Sequence, residues 1–247
     1  MSTDSMIMMR RNFKHILRNP FTIVNGALMP VFIMLMFVYV LGAAFNVGEH
    51  YVEYATPGLI LLAITYGLSA TAVSVNSDMT KGIINRFKVM NVSRGAVLNG
   101  HVVATMLGSS VAVAVIIGIA FALGFRSPAT PLDWLGAIGI IVAAALAATW
   151  ITVALGMAAK TPESAGLTVV PLLLLPFVSS AIVPADKMGQ GVRQFAEYQP
   201  FTPIIESLRG LLAGTPSGGY AAAALAWCAG IGLAGYLWSR ATFSKRA

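Results

Sequence analysis

Along this 247-residue chain the apolar and polar positions separate into long blocks. Six mostly apolar runs, residues 21–45, 55–77, 102–125, 134–159, 165–183 and 219–239, contain no Asp, Glu, Lys or Arg. At ~1.5 Å rise per residue, even the shortest would reach about 28 Å as a helix, roughly the hydrocarbon thickness of a bilayer. The pattern therefore predicts an all-α membrane protein with six transmembrane helices.

Three segments outside the runs are amphipathic. In residues 1–20, Met6, Met9, Phe13, Ile16 and Leu17 share one helical face and Arg11, Lys14 and Arg18 another, until Asn19-Pro20 ends the helix. This predicts an N-terminal interfacial helix on the cytoplasmic membrane surface. In residues 78–94, Ile83, Phe87 and Met90 fall on one face and Lys81, Asn85 and Lys88 on the opposite one. Such a helix rests on lipid headgroups or fits a groove on a cytoplasmic partner. Residues 184–217 hold a third piece, with Pro203 at a helix start, apolar positions Ile204, Leu208, Leu211 and Leu212, and Gly214 as a stop. It is too short to cross and predicts a short external re-entrant helix pair between the fifth and sixth spans, a surface helix being the other arrangement.

Composition agrees with a membrane solvent: 57% of residues are hydrophobic and 10% charged, which cannot cover a water-soluble surface. The placement of basic residues adds a direction. Of the 16 Lys and Arg residues, twelve fall on the side shared by the N-terminus, residues 78–94, Lys160 and the C-terminus; only Arg126, Lys187, Arg193 and Arg209 fall on the other. The excess predicts a multi-pass protein of the cell inner or plasma membrane with both termini cytoplasmic. It also accounts for the net charge of +7 without nucleic acid as a partner. Cys228 lies in an apolar run, which leaves no intramolecular disulfide and no cysteine metal site. Arg10, Arg11, Lys14 and Arg18 interrupt the first twenty residues where a cleavable signal needs an apolar core. Gly118 with Ala122, Gly136 with Gly139, and Gly230 with Ala234 have spacings that permit close helix packing.

The empty runs limit the chemistry. An ion-coupled carrier keeps ionisable groups within its spans, and a channel shows a charged ring or a carbonyl filter; neither pattern occurs. A P-loop needs Gly-Lys followed by Ser or Thr, and the chain has no Gly-Lys dipeptide. His15, His50 and His101 are scattered and form no metal motif. The chain is thus expected to be no enzyme and to hold no metal or cofactor, so energy for uphill transport has to come from a separate subunit.

Several stretches carry a resemblance. They are residues 30–42, then Asn76-Ser-Asp-Met-Thr-Lys-Gly-Ile-Ile-Asn-Arg-Phe-Lys88 with Val92-Ser-Arg94, then Lys160-Thr-Pro-Glu163, Gln199-Pro-Phe-Thr-Pro203, and Arg209-Gly-Leu-Leu-Ala-Gly-Thr215. In this order they resemble the permeases of ABC-2 type exporters, most of all the daunorubicin/doxorubicin-resistance branch. Asn91 stands where that family usually has proline, and Gln199 where it has asparagine. The resemblance implies that residues 21–247 form a six-helix transmembrane domain. It further implies pairing with a second permease copy, as a homodimer in preference to a heterodimer, and with two cytoplasmic ATP-binding cassette subunits that bind ATP and Mg and hydrolyse the nucleotide. On this likeness Asp78, Gly82, Ile83, Arg86, Phe87 and Lys88 are the ATPase-coupling candidates, with Arg11 and Lys14 as secondary contacts.

The function implied is export of hydrophobic or amphipathic, drug-like compounds. Export of a lipid or glycolipid is the alternative within the family, and a membrane scaffold or sensor recruiting a cytoplasmic protein is the alternative outside it. Met29, Phe32, Met36 and Tyr39 follow one face of the first run, and Tyr66 and Phe177 are companions for a substrate pathway. Lipid contact or packing accounts for the same stripe. Glu206 and Arg209 are spaced to form an external ion pair.

Overall fold

The computed structural model describes residues 20–41, 51–80 and 94–246, with side chains over 28–40, 51–80 and 98–244. The described residues are helical throughout, apart from turns. Helix α1 (Pro20–Met36) runs into a π-helical turn at Phe37–Leu41. Helices α2 (Tyr51–Tyr66) and α3 (Leu68–Thr80) form one rod interrupted at Gly67. Then come α4 (Arg94–Ala122), α5 (Pro131–Ala158), α6 (Pro162–Thr168) and α7 (Val170–Leu174). Short 3-10 turns follow at Leu175–Val178 and Ala185–Lys187, then α8 (Gln190–Tyr198), α9 (Phe201–Leu212) and α10 (Gly218–Arg246).

This architecture corrects the expectation of six spans. Among the described residues, four helical stretches are long and apolar enough to cross a membrane: Tyr51–Thr80, Leu98–Ala122, Pro131–Ala158 and Gly218–Ser244. The first and fifth runs yield only the shorter apolar helices Leu28–Val40 and Pro162–Val178. Proline is the physical reason in the fifth run. Pro171 and Pro176 each remove an amide donor, and the segment breaks into seven-, five- and four-residue pieces. In the first run, the described side chains cover residues 28–40 of α1 and its π-helical turn, and residues 42–45 lie outside the described residues.

No re-entrant helix pair is identified among the described residues either. Helix α8 is exposed along most of its length and carries an Arg193–Glu197 ion pair, 2.7 Å, which raises the Arg193 pKa above its ordinary value. Helix α9 is buried instead, with Phe201, Ile205 and Leu208 packed into the bundle. A nine-residue helix with so polar a face does not pair with α9 in hydrocarbon: α8 lies at the surface while α9 is buried.

Local chemistry sets the ends of α5 and α6. The Thr130 hydroxyl accepts from the Asp133 amide while the Asp133 carboxylate accepts from the Thr130 amide, and Pro131 starts the helix. Thr161, Pro162 and Ser164 repeat the arrangement at α6. Gly214, with φ +69°, reverses the chain after α9, a conformation costly for a residue with a Cβ.

The core surrounds α2, whose residues from Ala55 to Thr65 are buried, and α5 packs against α3, α4, α9 and α10. Glycine permits the closest approaches, though at positions other than those the spacing suggested. A Cβ on Gly235 would lie 2.5 Å from the Ile151 amide nitrogen, one on Gly156 2.7 Å from the Ala72 carbonyl oxygen, and one on Gly58 2.5 Å from the Ala181 Cβ. Gly118, Gly139 and Gly230 meet nothing within 4 Å. At one end of the bundle, the loop end, Val75, Leu98, Met157 and Phe243 pack together. The opposite end gathers the start of α2, the α4–α5 turn and residues 179–217.

Candidate functional site

The loop end holds the base of the 78–94 segment. Asp78 lies near the end of α3; Gly82, Ile83, Arg86, Phe87 and Lys88, and also Arg11 and Lys14, lie outside the described residues. The two helices that flank the segment are joined below it. His101 Nε2 lies 3.1 Å from Asp78 Oδ2, and the hydroxyls of Thr71 and Thr105 are 2.9 Å apart. About two turns of α3 and one turn of α4 separate these bridges, which tie the two helices together where they leave the bundle.

Between the two bridges, two residues before Asp78, Asn76 is fully buried. Its Nδ2 donates to the carbonyls of Gly156 at 2.9 Å and Ala159 at 2.8 Å. Both belong to the last turn and cap of α5, where carbonyls lack intrahelical partners. The sequence pattern alone assigns this residue no contact. The available signal was a single amide in the otherwise apolar run 55–77, which in hydrocarbon needs a partner.

The proposed substrate stripe lies on the outside of the chain. Met29, Phe32, Met36 and Tyr39 are 37–70% exposed, whereas Met34 and Phe37 of the same helix face the core. Tyr66 is half-buried beside Gly67, and Phe177 is exposed on the 3-10 turn. A cavity of about 40 Å³ lies between α2, α5, α9 and α10, next to Cys228. A second, of about 200 Å³, opens between α4 and α5 and is lined by Met106, Ser109, Val113, Ile138, Ile141 and Val142. None of the six lines either one.

The opposite end is held by a polar cluster around Arg209. Its Nη1 pairs with the Glu206 carboxylate, and its Nη2 donates to the carbonyls of Ser180 at 2.8 Å and Tyr54 at 3.3 Å. The guanidinium carbon lies 3.9 Å from the centroid of the Tyr54 ring, and the Tyr54 hydroxyl donates to Ser180 at 2.9 Å. Cation, ring and carbonyls thus join α9, α2 and the 179–182 turn. Gln199, also buried, donates to the carbonyls of Leu175 and Val178, and Thr202 accepts from the Ser180 amide. The Gln199-to-Pro203 stretch therefore satisfies backbone groups that the proline-broken segment cannot satisfy itself. Among the described residues, no group of three or more His, Cys, Asp or Glu side chains is placed to hold a metal ion.

Residues 3–213 match the ABC-2 type transporter family. The chain is 30% identical over 223 residues to the daunorubicin resistance ABC transporter permease protein DrrB1 of Streptomyces coeruleorubidus, covering 90% of this chain and 77% of the relative. It is 29% identical over 220 residues to the probable doxorubicin resistance ABC transporter permease protein DrrC of Mycobacterium tuberculosis, covering 87% and 78%.

Proposed function

We propose that this chain, which belongs to the ABC-2 type transporter family as one of its membrane permeases, exports hydrophobic or amphipathic drug-like compounds. The observation that carries the reading is its likeness, along 90% of its length, to a permease named for daunorubicin resistance. The transported compound would cross through a complex of two permease copies in the inner or plasma membrane, with both termini cytoplasmic. Energy would come from two ATP-binding subunits that hold ATP and Mg. Long apolar helices without intramembrane charge fit a permease that receives its energy through contact with a partner.

In this reading the 78–94 segment is the contact. Phe87 and Ile83 would fill an apolar groove on the ATPase, and Arg86 and Lys88 would meet its acidic residues. Closure of the ATPases on ATP would then displace α3 and α4 at the loop end and bias the permease between inward- and outward-open states. The exposed α1 stripe would contribute to the path where two copies meet. The Asp78–His101 and Thr71–Thr105 bridges support the reading because they carry displacement into both flanking helices together.

The test uses proteoliposomes holding the permease and its partner ATPase, with a fluorescent anthracycline or a labelled phospholipid as probe. ATP-dependent movement of the anthracycline, abolished in the Arg86→Ala/Phe87→Ala double variant while the complex still assembles, is the expected result. No ATP-dependent movement, or wild-type transport by the double variant, would overturn the proposal. Movement of the phospholipid alone would reassign the substrate.

A further inference from the structure

We infer that α3, the end of α5 and the start of α6 move as one block when the 78–94 segment is displaced, with Asn76 as the positioning residue that holds them together. The inference rests on the permease reading above, because it names the route by which a partner's motion enters the bundle.

Three kinds of contact define the block. The first is backbone against backbone: α3 and α5 approach so closely at Ala72 and Gly156 that even a methyl group on the glycine would meet the Ala72 carbonyl. Surfaces in such contact cannot slide without separating. The second is the Asn76 amide, whose two hydrogen bonds to Gly156 and Ala159 grip the end of α5 one turn beyond that contact. These carbonyls point out of the helix end, and hydrocarbon offers no water to replace Asn76, so releasing them is costly. The third is α6, which folds back onto α3. Ala165 and Val169 pack against Leu68 and Ala72, and the Ser69 hydroxyl donates to the Gly166 carbonyl at 3.3 Å.

The contacts to other neighbours differ in kind. Helix α3 meets α4 through side chains, the bridges at Thr71–Thr105 and Asp78–His101 and the packing of Val75 with Leu98 and Val102, and it parts from α2 at Gly67, which is exposed and has nothing within 4 Å of a built Cβ. The side-chain bridges pass displacement on to α4 yet, like the glycine break, leave room for small rotations that the Gly156 contact does not. Asn76 lies two residues before Asp78, so a pull on the loop that passes the Asp78–His101 bridge reaches the amide next, ahead of Thr71.

A reversible lock tests the block. Ser69→Cys with Gly166→Cys, in a Cys228→Ala background, places two thiols where the Ser69 oxygen already lies 3.2 Å from a built Gly166 Cβ, within reach of a disulfide. The complex with the partner ATPase is assayed in proteoliposomes, oxidised and then reduced. Transport by the oxidised protein within about twofold of the reduced protein is expected, because the lock joins parts that do not move relative to one another. Transport that stops on oxidation and returns on reduction overturns the inference.

Asn76→Ala supplies the second arm. It is expected to hydrolyse ATP in the complex yet move about tenfold less anthracycline per ATP, within the usual span of coupling energies. An unchanged transport-to-ATP ratio overturns the positioning role, a readout that a loss of folded protein does not move. If the reduced double-cysteine protein and wild type both show no ATP-dependent transport, the permease reading itself fails and the block loses its role with it.

Discussion

Removing the Arg209 guanidinium while keeping its bulk is the sharpest test of the cluster at the end opposite the loop. In Arg209→Met, the ion pair to Glu206, the bonds to the Ser180 and Tyr54 carbonyls and the contact with the Tyr54 ring all vanish. The side chains of the pair are only 18% and 24% exposed. Breaking a fully buried pair costs about 3–5 kcal/mol, and an exposed one about 0–1 kcal/mol. Ser180 keeps the Tyr54 hydroxyl on its carbonyl, so the loss falls mainly on the Glu206 carboxylate. With partial exposure discounted, about 2–4 kcal/mol is expected, or a fall of roughly 5–15 °C in Tm for a chain of this size. Glu206→Gln should cost less, about 1 kcal/mol, because Arg209 retains two carbonyls and a ring. Thermal unfolding of the detergent-purified protein, followed by tryptophan fluorescence, measures both variants and their combination. A loss under about 1 kcal/mol for Arg209→Met, or strict additivity in the double variant, would refute the cluster as a clasp.

Three further outcomes are expected. Gly235→Val should destabilise by about 1–3 kcal/mol or more by prising α10 from α5, while Gly118→Ala, which meets nothing, should be neutral or gain up to about 1 kcal/mol; the same thermal assay separates them. Gln199→Leu should cost about 1–3 kcal/mol by leaving the Leu175 and Val178 carbonyls unpaired, and protease digestion should then cut first within 175–182. Phe32→Ala should leave Tm within about 1 °C, since the ring is largely exposed, yet alter the relative export of different hydrophobic compounds by several-fold in cells with the partner ATPase. An unchanged compound profile would remove Phe32 from the substrate path.

Hydropathy made the membrane character and the four long helices legible, because a bilayer demands long uncharged runs whatever packs around them. It failed at residues 165–183 because it measures solvent preference and is blind to hydrogen-bond donors; Pro171 and Pro176 change the second without changing the first. With 24 glycines in the chain, small-residue spacing could not single out Gly156 and Gly235, whose importance depends on which helix lies opposite. The candidate site was legible to a similar depth. The Glu206–Arg209 spacing was local and could be read, but Tyr54 lies 155 positions away from Arg209, and no local pattern points to it. Asn76 was visible as an isolated amide, while the two carbonyls it holds belong to another helix's end.

The broken segment Pro162–Val178 also bears on how the protein is made. Several backbone groups of this segment and of the turn after it find partners in residues that follow: Gln199 takes the Leu175 and Val178 carbonyls, Thr202 takes the Ser180 amide, and Arg209 shares the Ser180 carbonyl with Tyr54. None of Gln199, Thr202 and Arg209 exists when the segment leaves the ribosome, and unpaired amides and carbonyls are not stable in lipid. By contrast, α5 is one uninterrupted 28-residue helix and can enter the bilayer as it is synthesised. The stretch after α7 therefore completes its hydrogen bonding only once residues 199–209 have been synthesised and α9 has docked.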